Sequence, residues 1–208
     1  MTRFNTIAWL AVFLGVLAWS AVEPRDRVTW WLEVSPALMA LVLLVATRQR
    51  FPLTGLAYLL ILVHSVILMV GGHYTYAEVP LGEWLQAVNG SDRNNYDKIG
   101  HLAQGFVPAI VARELLLRLG VVARRGWLAL LVVCICLAVS AFYELLEWWA
   151  ALISAEAAEA FLGTQGYEWD TQSDMAWAFA GAVAALVLLS RLHDRQLAAL
   201  DAPRRGGS

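Results

Sequence analysis

Asp97, His101 and Gln104 lie four and three residues apart, so a helix would stack a carboxylate, an imidazole and an amide on one face. Two acid pairs share that spacing, Glu144 with Glu147 and Asp170 with Asp174. Carboxylate oxygens beside one imidazole suit Mg²⁺, Mn²⁺ or Zn²⁺ better than a soft metal. A divalent metal held by Asp97, His101, Glu144, Glu147, Asp170 and Asp174 would activate a water or a hydroxyl, with His101, Glu144 and Glu147 as the catalytic groups. Each acid at a helix start also has a plainer reading. Asn94 can cap a helix with Asp97 as its capping-box partner, Thr171 with Asp174 repeats the pattern, and the helix dipole favours both carboxylates. Glu144 and Glu147 resist that reading, since they close an apolar run with no basic residue near them in sequence. Neighbouring carboxylates in a partly dry place must be neutralised by protons, by a cation or by basic side chains. Arg93 and Lys98 are the basic candidates, so a metal site and a salt-bridged network both stand open.

The elements that must position these groups are membrane spans. Of the 208 residues 60% are apolar and 15% charged, with a mean hydropathy of +0.59. A soluble domain has about 45–50% and about 25%. The excess comes in separate runs, which predicts an all-α, polytopic membrane protein with six transmembrane helices. The runs cover roughly 7–22, 30–47, 53–70, 96–117, 127–150 and 171–190. Pro80, Leu81, Trp84 and Leu85 predict a short helix on the membrane surface between the third and fourth spans, and 155–162 another after the fifth. Residues 1–201 form one transmembrane domain and 202–208 a disordered cytoplasmic tail.

With the N-terminus inside, Arg3, Arg48, Arg50, Arg118, Arg124, Arg125, Arg191, Arg195, Arg204 and Arg205 are cytoplasmic, against Arg25, Arg27, Arg93 and Lys98 outside. That bias places both termini in the cytoplasm. It also brings the ends of the fourth, fifth and sixth spans, with Asp97, His101 and both acid pairs, to the outer face. His101 and Glu147 are expected within one ligand or one water of each other, because intramembrane charges avoid lipid. Other polar residues within the runs have structural readings: His64 as a hydrogen bond between helices, Glu33 as a partner for Arg25 or Arg27, and Arg113 with Glu114 as a mutually paired, snorkelling couple. Cys134 and Cys136 fall on different helix faces and read as small core residues. The formal charge of −2, with no basic stripe, argues against a nucleic-acid partner.

Four words of the sequence resemble the YjdF-like bacterial inner-membrane proteins, a family of unassigned function. They are Gly72-His73-Tyr74-Thr75-Tyr76, Asn95-Tyr96-Asp97-Lys98 with Gly100-His101, Tyr143-Glu144-Leu145-Leu146-Glu147-Trp148, and Gln165-Gly166 through Asp170 to Asp174. A more distant likeness is to the VanZ-like membrane proteins, associated with low-level teicoplanin resistance. Their Asp-Lys-x-x-His, Glu-x-x-Gln and Asp-x-x-x-Asn-x-x-Gly resemble Asp97 to His101, Glu144 to Glu147 and Asp174 to Gly181, with Glu147 in place of Gln and Ala178 in place of Asn. The resemblance implies an inner-membrane location and groups the polar residues, without supplying a reaction.

Two functions follow. One is a metal-dependent hydrolase or transferase acting at the outer face on a lipid head group or an undecaprenyl-linked cell-envelope precursor. The other is a non-enzymatic protein that binds a lipid or envelope component, or supports a partner, with the acids as a structural polar network. No serine nucleophile elbow, phosphate clamp or phosphatase-like His pair is visible, which disfavours a covalent mechanism. A proton or cation pathway is a weaker third reading, because between His101 and Glu114 the fourth span offers only Gln104 and apolar residues.

Overall fold

The computed structural model describes residues 3–153 and 165–201. These form seven α-helices: α1 (Arg3–Ser20), α2 (Arg27–Thr47), α3 (Gly55–Tyr74), α4 (Pro80–Asn89), α5 (Tyr96–Arg118), α6 (Leu128–Ile153) and α7 (Asp170–Asp201). Two single 3₁₀ turns, Tyr76–Glu78 and Arg125–Trp127, complete the described elements, and there is no strand among them. The short helix expected over 155–162 and the tail 202–208 lie outside the described residues.

Four helices, α2, α3, α6 and α7, are long and apolar enough to cross a membrane, and α1 is a shorter apolar helix. At 23 residues α5 is about 34 Å long. Its charges distinguish it from the other long helices: Asp97, Lys98, His101, Arg113 and Glu114 are all buried. The outer surface of the bundle is apolar instead, with Val42, Leu59, Val187 and Leu188 each more than half exposed. Helix α5 is therefore the polar interior of a molecule whose other helices show apolar faces outward.

The closest packing joins α5 to α7. A Cβ on Gly105 would fall on the backbone of Ala178, and one on Gly181 on the carbonyl of Leu102, so both glycines let the two backbones approach. Gly72 does the same for α3 against Glu33 and Val34 of α2. Pro36 inside α2 removes the helical hydrogen bond to Leu32, and Ser35 Oγ donates to that carbonyl at 2.9 Å.

Helix α4 matches the expected short helix. It starts on Pro80 and ends at left-handed Gly90 (φ 68°). Leu81, Trp84 and Val88 stand exposed along one face.

The far end of α5 corrects the reading of Arg113 and Glu114. They are buried, and they bind other helices rather than each other. Thr54 caps α3 and also donates from Oγ1 to Glu114 Oε2 at 2.8 Å; its amide reaches Oε1 at 3.0 Å. Arg118 donates to the same carboxylate at 2.8 Å. The fully buried His193 of α7 lies between the two residues, with Nε2 3.1 Å from Glu114 Oε2 and Nδ1 3.0 Å from Arg113. Arg113 then reaches Asp194 at 2.6 Å. This lock explains why α7 runs on to Asp201 and does not stop before Arg191: its last turns carry His193, Asp194 and Gln196 onto α3 and α5.

Candidate functional site

Five helices and one connection meet at the start of α5. Helix α5 supplies Asp97, Lys98, His101 and Gln104, α6 supplies Tyr143, Glu144 and Glu147, and α7 supplies Asp170 and Asp174. Helix α2 adds Glu33, α3 adds His64, and the 3₁₀ turn adds Tyr76. The spacing of three or four carries each pair inward on its own helix.

The segments before α5 and α7 are tied together by backbone-to-amide exchange. Asn94 N–H donates to Gln165 Oε1 at 3.0 Å, and Gln165 Nε2 donates to the Asn94 carbonyl at 2.9 Å. Asn94 is thus not the N-cap of α5: its side chain holds Val79 O at 3.0 Å and accepts from Tyr96 N–H. Asn95 occupies the cap position without a capping bond, so Asp97 is free of the capping box and turns inward. Thr171 likewise hydrogen-bonds Glu144 across to α6, and Asp174 faces Lys98.

Tyr76 is placed by strain and by glycine. Thr75 holds φ 61°, ψ 147°, a conformation costly for any residue with a Cβ. The turn drives the Tyr76 ring between Gly71 of α3 and Gly100 of α5, where a Cβ on either glycine would collide with it. Burial, and then the charge of Glu33, push the Tyr76 hydroxyl well above its usual pKa, so it stays a neutral donor.

Six carboxylates are buried here: Glu33, Asp97, Glu144, Glu147, Asp170 and Asp174. Their basic partners are unevenly shared. Lys98 Nζ lies 2.8 Å from Asp170, 2.5 Å from Asp174 and 3.5 Å from Asp97. Arg93 reaches Asp170 at 2.7 Å and Asp97 at 3.9 Å. Neither reaches Glu144 or Glu147. Glu33 pairs with neither Arg25 nor Arg27: Arg25 binds Glu78 at 2.7 Å, Arg27 binds Ala21 O, and Glu33 instead accepts from Tyr143 Oη at 3.1 Å. Sequence reasoning missed Glu33, Tyr76 and Tyr143 as site residues.

His101 sits at the centre. Its Nε2 is 3.2 Å from Asp97 Oδ1 and 3.9 Å from Asp174 Oδ2, while Nδ1 is 3.2 Å from Gln104 Oε1 and 3.8 Å from Glu144 Oε1. Acceptors therefore face both nitrogens. An imidazolium satisfies them without a metal. With Nδ1–H given to Gln104, Nε2 instead presents a lone pair toward two carboxylates, the usual orientation of a metal-binding histidine. Ligand atoms of Asp97, His101 and Asp174 all lie within 4.8 Å of one another. Among the described residues that triad is the group with metal-holding geometry; Glu144, Glu147 and Asp170 stand outside it.

A cavity of about 20 Å³ adjoins the triad, lined by Glu33, Tyr76, Asp97, His101, Tyr143 and Glu147 together with His64, Leu68, Gly100 and Gln104. It has room for one water or one ion, since a water needs about 10–15 Å³. His101 and Glu147 thus face one water-sized space. Among the described residues Glu147 makes no hydrogen bond, and Asp97 Oδ2 and Glu144 Oε1 are buried without one. His64 also lacks one there; it lines the cavity and does not bridge helices.

The family model described as "Predicted membrane protein (DUF2238)" matches residues 5–195. The inner membrane protein YjdF of Escherichia coli (strain K12) is 52% identical over 182 residues, 88% of this chain and 87% of that protein. No solved structure matches.

Proposed function

The chain belongs to the DUF2238 family of predicted membrane proteins, and from that premise we propose that it crosses the bacterial inner membrane six times and presents the acid–histidine group at the outer face. There it holds a divalent cation, Zn²⁺, Mg²⁺ or Mn²⁺, and acts as a hydrolase or transferase on a lipid head group or cell-envelope precursor. The observation that carries this reading is the imbalance of charge: six buried carboxylates share Arg93, Lys98 and His101. Buried carboxylates without partners demand protons or a cation. Asp97, His101 and Asp174 would hold the cation, with Gln104 orienting His101. The metal would polarise the head group or activate a water. Glu147, facing the cavity without a hydrogen bond, would take the proton.

Metal analysis of protein purified in detergent, with thermal unfolding as Zn²⁺, Mn²⁺ or Mg²⁺ is added, tests the reading. Bound metal and a rise in Tm that disappears in Asp174→Asn are expected. A metal-free protein that no cation stabilises would remove the enzyme. The second reading, a structural polar network in a lipid-binding protein, is favoured by one observation: Lys98 already bridges Asp97, Asp170 and Asp174. Under it Lys98→Met paired with Asp174→Asn retains function, whereas the metal reading expects that pair to lose it.

A further inference from the structure

The acidic cavity has an apolar neighbour. A groove of about 750 Å³ runs between α2, α3, α5 and α6, walled by Ala37, Ala40, Leu44, Leu115, Ile135 and Val139 among others. Its size lies within the roughly 300–1,000 Å³ of small-molecule sites. Along α5 its lining extends from Gln104 to Leu119, about 22 Å at the helical rise. That exceeds the roughly 15 Å that half a hydrocarbon core offers, so one acyl chain fits along its full length.

Groove and cavity share four side chains: His64, Leu68, Gln104 and Tyr143 line both. The groove therefore ends against the acidic site. We propose that it holds an acyl chain of an ethanolamine phospholipid whose primary ammonium enters the acidic cavity past His64, Gln104 and Tyr143. This rests on the reading of the site as one that meets a lipid head group, and it names the head.

Charge and size select the head. Glu33 and Glu147 line the cavity, and Arg93 and Lys98 are committed to Asp97, Asp170 and Asp174 on the other side. An ammonium brings N–H donors and a positive charge to those two acids, and a purely anionic head brings neither. A cavity with room for one water accepts a primary ammonium and excludes a trimethylammonium. Pro108, lining the groove, has no N–H to give the Gln104 carbonyl, which leaves another acceptor at the boundary.

The test is native mass spectrometry of the full chain, purified in detergent and offered equimolar ethanolamine, choline and glycerol phospholipids. Retention of the ethanolamine lipid over the other two by roughly tenfold or more is expected, the ratio of a charge-assisted hydrogen bond. Ala40→Trp, which fills the groove, should lower retention of all three, with Val111→Phe as a second filling variant should the first not fold. Glu33→Gln with Glu147→Gln should keep lipid bound and erase the preference. Equal retention of the three lipids by the unsubstituted protein, or undiminished retention by a folded filling variant, would overturn the proposal. The cation-dependent Tm of the filling variant is read alongside: lost lipid with an intact cation shift supports the groove, and a lipid preference without any cation shift removes the metal alone.

Discussion

Glu147 and Lys98 show two opposite treatments of a buried charge. Glu147 is buried without a hydrogen bond among the described residues and faces a water-sized cavity. A neutral amide of the same shape does not carry the charge penalty, so Glu147→Gln is expected to stabilise the purified protein by about 1 kcal/mol or more, read as a higher Tm. A lower Tm would show that the carboxylate is engaged structurally, and its role as an open acid would fall. Lys98 is the reverse case. Removing its ammonium in Lys98→Met takes from Asp174 its close basic partner and leaves Asp97 and Asp170 to Arg93 and His101, at a cost of about 3–5 kcal/mol. Adding Asp174→Asn should recover part of that loss in thermal unfolding; additive losses would mean the pair does not interact. Asp97, His101 and Asp174 were legible in the chain because helical spacing alone sets their faces. Glu33 was not, since its nearest basic residues in sequence, Arg25 and Arg27, turn to Glu78 and Ala21.

Among the elements, α5 and α7 decide whether the site exists. Asp97 and His101 meet Asp174 only because Gly105 and Gly181 let the two backbones come together. Gly105→Ala should wedge the helices apart and cost about 1–3 kcal/mol, the usual range for overpacking. The same variant should also weaken any cation-dependent rise in Tm, because the ligand atoms of Asp97, His101 and Asp174 separate. A Gly105→Ala protein with unchanged stability and an unchanged cation response would show that this approach is not needed. The small residues of α7 were visible in sequence as a close-packing face, and the helix starts were nearly all placed within three residues. The end of α7 was not, because Arg191, Asp194 and Arg195 look like a terminus. What holds it helical is His193, buried between Arg113 and Glu114, a partnership across some 80 residues that no local pattern encodes.

For the whole molecule, orientation is the prediction on which a site at the outer face depends. The polar group at the start of α5 and the lock of Glu114 and His193 lie at opposite ends of that helix, about 26 Å apart between Asp97 and Glu114 at the helical rise. In the six-span arrangement one end faces the cytoplasm and the other the outside. Arg118, Arg124 and Arg125 follow Glu114 in the chain and Arg191 and Arg195 flank His193, while Arg93 and Lys98 are engaged by acids at the site. A bias of basic residues toward the cytoplasm predicts that the site faces out. Single cysteines report this directly, in a background carrying Cys134→Ser and Cys136→Ala, which removes one exposed and one buried thiol. In intact cells a membrane-impermeant maleimide should label Asn89→Cys, on the connection beside the site, and spare Val121→Cys, just past the end of α5. After lysis both should react. Labelling of Val121→Cys alone in intact cells would turn the molecule over and place the acids in the cytoplasm. Labelling of both would mean that α5, which is not among the four helices apolar enough by composition to cross, does not cross the membrane, and the six-span arrangement would fail with it.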